Sequence, residues 1–335
     1  MARRRIGRAN AAGVLLLAAV GTGCTSQSPA TQDSAPAPKR IAFFGFAKAN
    51  SFAVATFTGI DHYAKAHGAR ADFLDGNFDA QAQARQIQDA VTAKTYDVFI
   101  VQANDGTVVQ PAVTAAVAAG IPVVAEFTPL GSRYDTADPQ IPGTITLVDV
   151  PTSNGRTLAE LGIRACHAKN LHPCKIAYLE GMTALPLDNA RTKAVQSALR
   201  AAGPDISLTA DAEGGYTQQT GRQAMQDILQ AHPDLDVVIG SSQAIAGAQA
   251  VTAGKSIAFI ANGASKQAVD AVKQQRWFAA YYVPPTTMGA KAAELGLDKA
   301  LGKPVNPANK ATDLGVPGAV GTADTLKNIT GEYDE

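Results

Sequence analysis

The chain has 335 residues, 46% hydrophobic and 17% charged, which is enough for two hydrophobic cores and too apolar for wholesale disorder. Lys plus Arg and Asp plus Glu each number 29, so the formal charge is zero. That balance argues against a protein built on phosphate neutralisation, where a basic excess is the rule, and nucleic acid is not an expected partner.

The chain opens with Arg3, Arg4, Arg5 and Arg8, a short apolar run over 14–20, and the small residues Gly21, Thr22 and Gly23 ahead of Cys24. This is the pattern of a secretory signal, too short to remain as a membrane-spanning helix. The Gly-Cys junction resembles a bacterial lipobox, although Gly21 stands where Leu is usual. The reading is a lipoprotein signal peptide over 1–24 with lipid on Cys24, the alternative being simple cleavage with Cys24 a bystander. Residues 25–39 include TSQSPATQDSAPAP, have no apolar period and read as a flexible tether. From about Leu326 the tail is polar and is expected to fray.

Between these ends one pattern recurs: a short Val-, Ile- and Phe-rich run, a small-residue loop, then an Ala-rich amphipathic stretch. The runs fall at 41–46, 71–74, 98–102, 122–126, 144–148, 176–179, 206–209, 237–241, 257–261 and 278–283. Helices are expected near 52–67, 79–94, 107–119, 154–169, 189–202, 217–231, 243–253, 265–275 and 286–301. Continuous apolar strands alternating with helices imply parallel sheets covered on both faces, with right-handed crossovers. So many strands overfill one sheet, and Pro142-Gly143 and Pro151 bracket the run at 144–148. The fold class is therefore α/β, two doubly wound parallel-sheet lobes with a cleft between them. Ligands of such sheets bind beyond the carboxyl ends of the strands. The residues found there are polar and aromatic, with one arginine and few acids.

Cys166 and Cys174 lie at the end of an expected helix and the start of a strand. They read either as a disulfide clipping those elements together or as two buried thiols.

No G-x-S-x-G, H-E-x-x-H, P-loop or G-x-G-x-x-G motif occurs in the sequence. His62 and His67, and His167 and His172, are each five residues apart, which does not align them on one helix face, and His232 stands alone. Asp211 and Glu213 read as an ordinary loop face. No nucleophile and base are paired, so an enzyme is not expected, nor is any cofactor or metal.

Several stretches resemble the ribose-type, type I periplasmic sugar-binding proteins. They are IAFFGFAKANSFAVATFTGIDHYAKAHG, DAQAQARQIQDAVTAKTYDVFIVQANDGTVVQPAVTAAVAAGIPVV, NARTKAVQSALRAAG, GGYTQQTGRQAMQDILQAHPDLDVVIGSS and YYVPPTTMGAKAAELGLDKALGKPV. Their order and spacing carry the resemblance from about Arg40 to about Val320. It implies a three-strand hinge near 147–150, 282–285 and 311–315. The lobes would then be 40–147 plus 284–312 and 148–283 plus 313–328. It also implies a lipid-anchored solute-binding monomer that closes on a small sugar-like ligand for the permease and ATPase subunits of an ABC importer.

Carried over residue by residue, the resemblance places Asn50, Phe52, Gln102, Arg191 and Tyr216 at ligand positions. Asn262 replaces a common Asp, Ser242 a common Asn and Val283 a common Gln. Phe127-Thr128 stands where aldose binders carry Asp-Arg, and strand alternation turns Glu126 to the other face. Amides and an arginine suit hydroxyl rims, and Phe52 and Tyr216 suit the two faces of a ring. The plainer readings are a helix cap for Asn50, core or loop packing for Phe52 and Tyr216, and a solvated helix position for Arg191. Three other functions stand beside this one. A transcriptional regulator of this fold needs a helix-turn-helix before residue 40, where a signal and tether stand. A receptor read by a membrane sensor, and a binder of a less hydroxylated non-sugar solute, share every feature above.

Overall fold

The computed structural model describes residues 39–335, so the leader, Cys24 and nearly all of the tether lie outside the described residues. Strands β1 (Arg40–Gly45), β2 (Arg70–Asp75), β3 (Val98–Val101), β4 (Val123–Phe127) and β5 (Ile145–Val148) join β11 (Ala308–Lys310) in one sheet, ordered β11-β5-β4-β3-β1-β2. Strands β6 (Cys174–Glu180), β7 (Ile206–Glu213), β8 (Val237–Ser241), β9 (Ala258–Asn262), β10 (Ala279–Tyr281) and β12 (Val320–Gly321) form the other, ordered β12-β10-β9-β8-β6-β7. Pairing is parallel throughout except for β12, which returns antiparallel to β10, a departure from the all-parallel expectation.

The helices are α1 (Ser51–Ala66), α2 (Ala80–Ala93), α3 (Gln110–Ala118), α4 (Pro151–Ala168), α5 (Pro186–Ala201), α6 (Gln218–Ala231), α7 (Ser242–Gln249), α8 (Lys266–Lys273) and α9 (Pro285–Ala300). Helices α4 and α5 begin three residues before their expected starts because each opens on a proline, whose fixed φ suits the first helical position. Helix α3 begins three residues late, since the Asp105 carboxylate holds the Thr107 amide at 2.8 Å in a turn.

Each sheet is covered on both faces, and the alternation along its strands shows how. In the first lobe Ile41, Phe43, Val98 and Ile100 face α1 and α9, while Ala42, Phe44, Phe99 and Val101 face α2 and α3. In the second, Ile176, Val237, Ile239 and Ile260 face α4 and α5, and Ala177, Val238, Phe259 and Ala261 face α6, α7 and α8. A period of two with both faces apolar reads in sequence as a continuous run. The closest helix contact is between α1 and α9. A Cβ on Gly59 would lie 1.8 Å from the Thr286 carbonyl oxygen, and one on Gly289 would lie 1.9 Å from that of Thr56.

The chain passes between the sheets three times: after β5, after β10, and between β11 and β12. Strand β11 was not expected from the sequence, its three half-exposed residues carrying no apolar run. The expected fraying from Leu326 onward is corrected. Leu326 is fully buried, and the amide of Lys266 donates to the Tyr333 carbonyl at 2.8 Å. The apolar contacts there come from isolated residues, so no periodic signal announces them.

Cys166 and Cys174 are disulfide-bonded, joining the last turn of α4 to the first residue of β6. Closing so short a loop restricts the unfolded chain by about 2–3 kcal/mol. The Cys166→Ala/Cys174→Ala protein should lose that amount in chemical denaturation under oxidising conditions. Equal midpoints for the two proteins would show that the bridge contributes nothing.

Candidate functional site: the cleft between the two sheets

The carboxyl ends of the strands of both sheets face a common cleft. It holds about 590 Å³ of space free of protein atoms, part of it continuous with solvent. Gln243, at the start of α7, donates to the Ser51 hydroxyl at 3.2 Å across the gap.

The first lobe supplies mainly aromatic surface. Asn50 caps α1 by accepting from the Ala53 amide at 2.9 Å, which leaves its NH2 half for a ligand. Two residues on, in the first turn of α1, Phe52 meets Phe127 with ring centroids 4.7 Å apart. Phe127 occupies the left-handed region at φ 58°, an uncommon and costly conformation for an aromatic residue. Beside it, Phe46 lies edge-on at 6.2 Å.

Behind these rings sits a polar layer that does not reach the cleft. Gln102 accepts from the Phe46 amide at 3.2 Å and donates to Glu126 at 2.8 Å, while Gln83 donates to the carbonyls of Phe44 and Gln102. Glu126 is fully buried, and burial pushes its carboxyl up to about 8 from an ordinary 4.5.

The second lobe supplies charge. Asp188 and Arg191, three residues apart on α5, are both buried, with Nη1 donating to Oδ1 at 2.5 Å. The Tyr216 hydroxyl donates to the same Oδ1 at 2.7 Å and accepts from Arg191 at 3.2 Å, and the Met182 amide donates to Oδ2 at 2.8 Å. Burial opposes the charge on Arg191, but Tyr216 and Asp188 outweigh it and hold the guanidinium protonated above its ordinary range. Burial raises Asp188, with Arg191 the chief opposing influence. Helix α4 comes close to α5 at this point, since a Cβ on Gly155 would lie 2.4 Å from the Arg191 carbonyl oxygen.

A third group sits where the chain crosses between the sheets. Tyr281, ending β10, donates to Asp149 at 2.6 Å, and Asn154 donates to Asp149 at 2.8 Å and to Asn262 at 3.3 Å. Burial raises Asp149, opposed first by the Tyr281 hydroxyl and then by Arg191. Two buried atoms on the residues lining this cleft, Arg191 Nε and Asn154 Oδ1, have no hydrogen-bond partner among the described residues. One is a donor and the other an acceptor.

Of the residues expected at the site, Asn50, Phe52, Phe127, Arg191, Tyr216, Asn262 and Val283 line the cleft. Gln102, Thr128 and Ser242 do not; each is fully or almost fully buried behind the lining. The positive φ of Phe127 explains Thr128: it breaks the strand register, turning the phenyl ring inward and Thr128 away. The Phe52 ring is tilted against Phe127 and meets the edge of Tyr333, while Tyr216 is held by its hydroxyl. Sequence reasoning missed Asp149, Asn154, Tyr281 and Tyr333 as lining residues, and Asp188 as the partner of Arg191. Asp188 had a signal in its i, i+3 spacing from Arg191. Asp149 had one in its place after a strand and before a helix-opening proline.

Among the described residues no group of three His, Cys, Asp or Glu is placed to hold a metal ion, and no helix is long and apolar enough to cross a membrane.

The family model for the periplasmic binding protein domain matches residues 41–304. The ribose import binding protein of Bacillus subtilis (strain 168) is 25% identical over 260 residues, covering 76% of this chain and 80% of its own. An ABC transporter solute-binding protein from Mycobacterium smegmatis, solved with bound glycerol, superposes with a TM-score of 0.72 at 22% identity, covering 89% of this chain and 99% of its own. The Caulobacter myo-inositol binding protein, solved with myo-inositol, gives 0.71 at 18% identity over 87% and 95%. At these identities the two structures speak to the fold alone.

The buried acid yields a test. A folded-state value near 8 against 4.5 means that Glu126 is protonated in the folded protein where it would be ionised in the unfolded chain. Its contribution to stability is complete below pH 4.5 and is lost as pH rises through about 8. Glu126→Gln keeps the bond to Gln102 and cannot ionise, so denaturation midpoints across that window should fall less steeply than in the parent. Parallel pH profiles would refute a buried neutral acid.

Proposed function

This chain belongs to the periplasmic binding protein family, and from that premise we propose that it captures a small sugar or sugar-like solute in the cleft and passes it to an ABC importer. It is a binding protein and not an enzyme. The observation that carries the ligand class is the pair of unpartnered buried atoms, Arg191 Nε and Asn154 Oδ1, on a cleft walled by phenyl rings. A hydroxyl donates and accepts at once, so a hydroxylated ring satisfies both while resting its C–H face on Phe52 and Phe127. The ribose import binding protein that the chain resembles points the same way.

The aromatic first lobe refines the reading. With Phe127 in place of an acid and Gln102 withdrawn behind it, a fully hydroxylated aldose leaves hydroxyls unpaired against apolar rings, at a cost of about 1–3 kcal/mol each. The preferred solute therefore has fewer hydroxyls than an aldose, or an apolar or carbonyl-bearing face. Capture happens outside the cytoplasmic membrane, with the chain tethered as a monomer through lipid on Cys24. Its partners are the permease and ATPase subunits of the importer.

Calorimetry with ribose, galactose, xylose, deoxy sugars and polyols tests the ligand reading. Arg191→Ala removes charge-assisted bonds of about 1.5–3 kcal/mol each, so affinity should fall roughly 10- to 150-fold. Tight ribose binding that survives the substitution would overturn both the solute class and the role of Arg191. Fatty-acid labelling of cells tests the anchor: Cys24→Ser should release the protein from the membrane fraction, and undiminished retention would count against lipidation.

A further inference from the structure

Residues 331–335, expected to be a frayed tail, run across the cleft instead. The Glu332 amide donates to the Ala264 carbonyl at 3.0 Å, the Lys266 amide donates to the Tyr333 carbonyl at 2.8 Å, and Ser265 and Tyr333 form a parallel bridge. The Ser265 hydroxyl donates to the half-buried Glu335 carboxylate at 2.5 Å. These contacts fasten the segment to the second lobe. The Glu332 carboxylate reaches the other way. It accepts from the amides of Thr286 at 2.6 Å and Thr287 at 3.1 Å, at the N-terminus of α9, which packs on the first lobe. A carboxylate is favoured there by unpaired amides and by the helix dipole.

Between its two glutamates the segment delivers Tyr333 to the cleft. Its ring is buried and meets Phe52 edge-on with centroids 6.3 Å apart, and its hydroxyl lies 3.4 Å from Ser242 Oγ. The receiving surface is shaped for it. Gly263 sits at φ 152°, and a Cβ there would fall 2.9 Å from the Tyr333 hydroxyl and 2.5 Å from Ser242 Oγ. Gly331 makes a matching close approach, since its Cβ would lie 2.4 Å from the Lys266 amide nitrogen.

We propose that residues 331–335 are a strap that carries Tyr333 into the solute cleft as a wall, setting which solutes fit. This rests on the cleft being the solute site. The ring closes the side of the cleft next to Phe52, so it favours compact single-ring solutes and rejects those with a substituent on that side. Glu332 is a positioning residue: it holds the strap to α9 and so holds the ring in place.

The test has two arms, both on the full chain. In the first, a panel of pentoses, hexoses, deoxy sugars, cyclitols and their methyl ethers or glycosides is measured by calorimetry against the parent, Tyr333→Ala, Tyr333→Phe and Glu332→Ala. For compact solutes that the parent binds, Tyr333→Ala should weaken binding about 10-fold or more and raise the relative affinity of the methylated forms. Tyr333→Phe should lose less, and Glu332→Ala should shift the ranking in the same direction as Tyr333→Ala. An unchanged affinity and ranking in Tyr333→Ala would overturn the wall while leaving the sugar reading intact.

The second arm needs no ligand. Hydrogen exchange of the Glu332, Lys266, Thr286 and Thr287 amides should show protection in the parent, with Thr286 and Thr287 losing it in Glu332→Ala. Solvent-rate exchange at Glu332 and Lys266 in the parent would overturn the strap. If no panel member binds the parent, the sugar reading fails by itself, and this second arm decides the strap.

Discussion

Arg191 is buried between the lobes, and a guanidinium taken out of water is tolerable only if its partners are already in place. Removing one partner of such a pair costs about 3–5 kcal/mol, which makes the surroundings of Arg191 interdependent. Asp188 supplies the countercharge from the same helix, Tyr216 bonds to both from the loop after β7, and the Met182 amide fixes the far carboxylate oxygen. Asp149, on the first crossing between the sheets, also acts on Arg191 and is itself tied to Tyr281 on the second crossing. One buried charge thus links α5, the loop before α6 and two of the three connections between the lobes.

The cleft built around it has two unlike sides. The first lobe offers the rings of Phe46, Phe52, Phe78 and Phe127, with Asn50 its polar contribution to the lining, while Gln102 and Glu126 bond to each other behind the rings. The second lobe and the crossings offer the guanidinium, hydroxyls, amides and Asp149, with Leu185, Leu187 and Val283 beside them. A solute suited to both sides has an apolar face and a polar rim, so its orientation in the cleft follows from the division of residue types between the lobes.

The architecture was legible in the sequence because the central strands, buried on both faces, are continuous apolar runs, as in Val98–Val101, and such runs alternate with amphipathic helices. The site was partly legible. Residues at strand ends and helix starts, such as Asn50, Phe52, Arg191 and Asn262, follow from topology. What failed was orientation. Gln102 and Thr128 stand at the expected places, yet one hydrogen-bonds to Glu126 and the other is turned away by a backbone conformation that no residue type in Glu126-Phe127-Thr128 signals. Tyr333 was missed because the contacts holding it join residues far apart in sequence, with no local period to reveal them.

The crossings also bear on how the molecule assembles. Helix α9 and β11 complete the first lobe, but they come after every strand of the second sheet except β12. The Thr146 amide, for example, donates to the carbonyl of Pro307 at 2.9 Å. Neither lobe is a continuous stretch of chain, so neither can finish folding as it emerges from the ribosome. A chain of this connectivity stays open until nearly all of it is made, and loop-closure entropy keeps its completion slow.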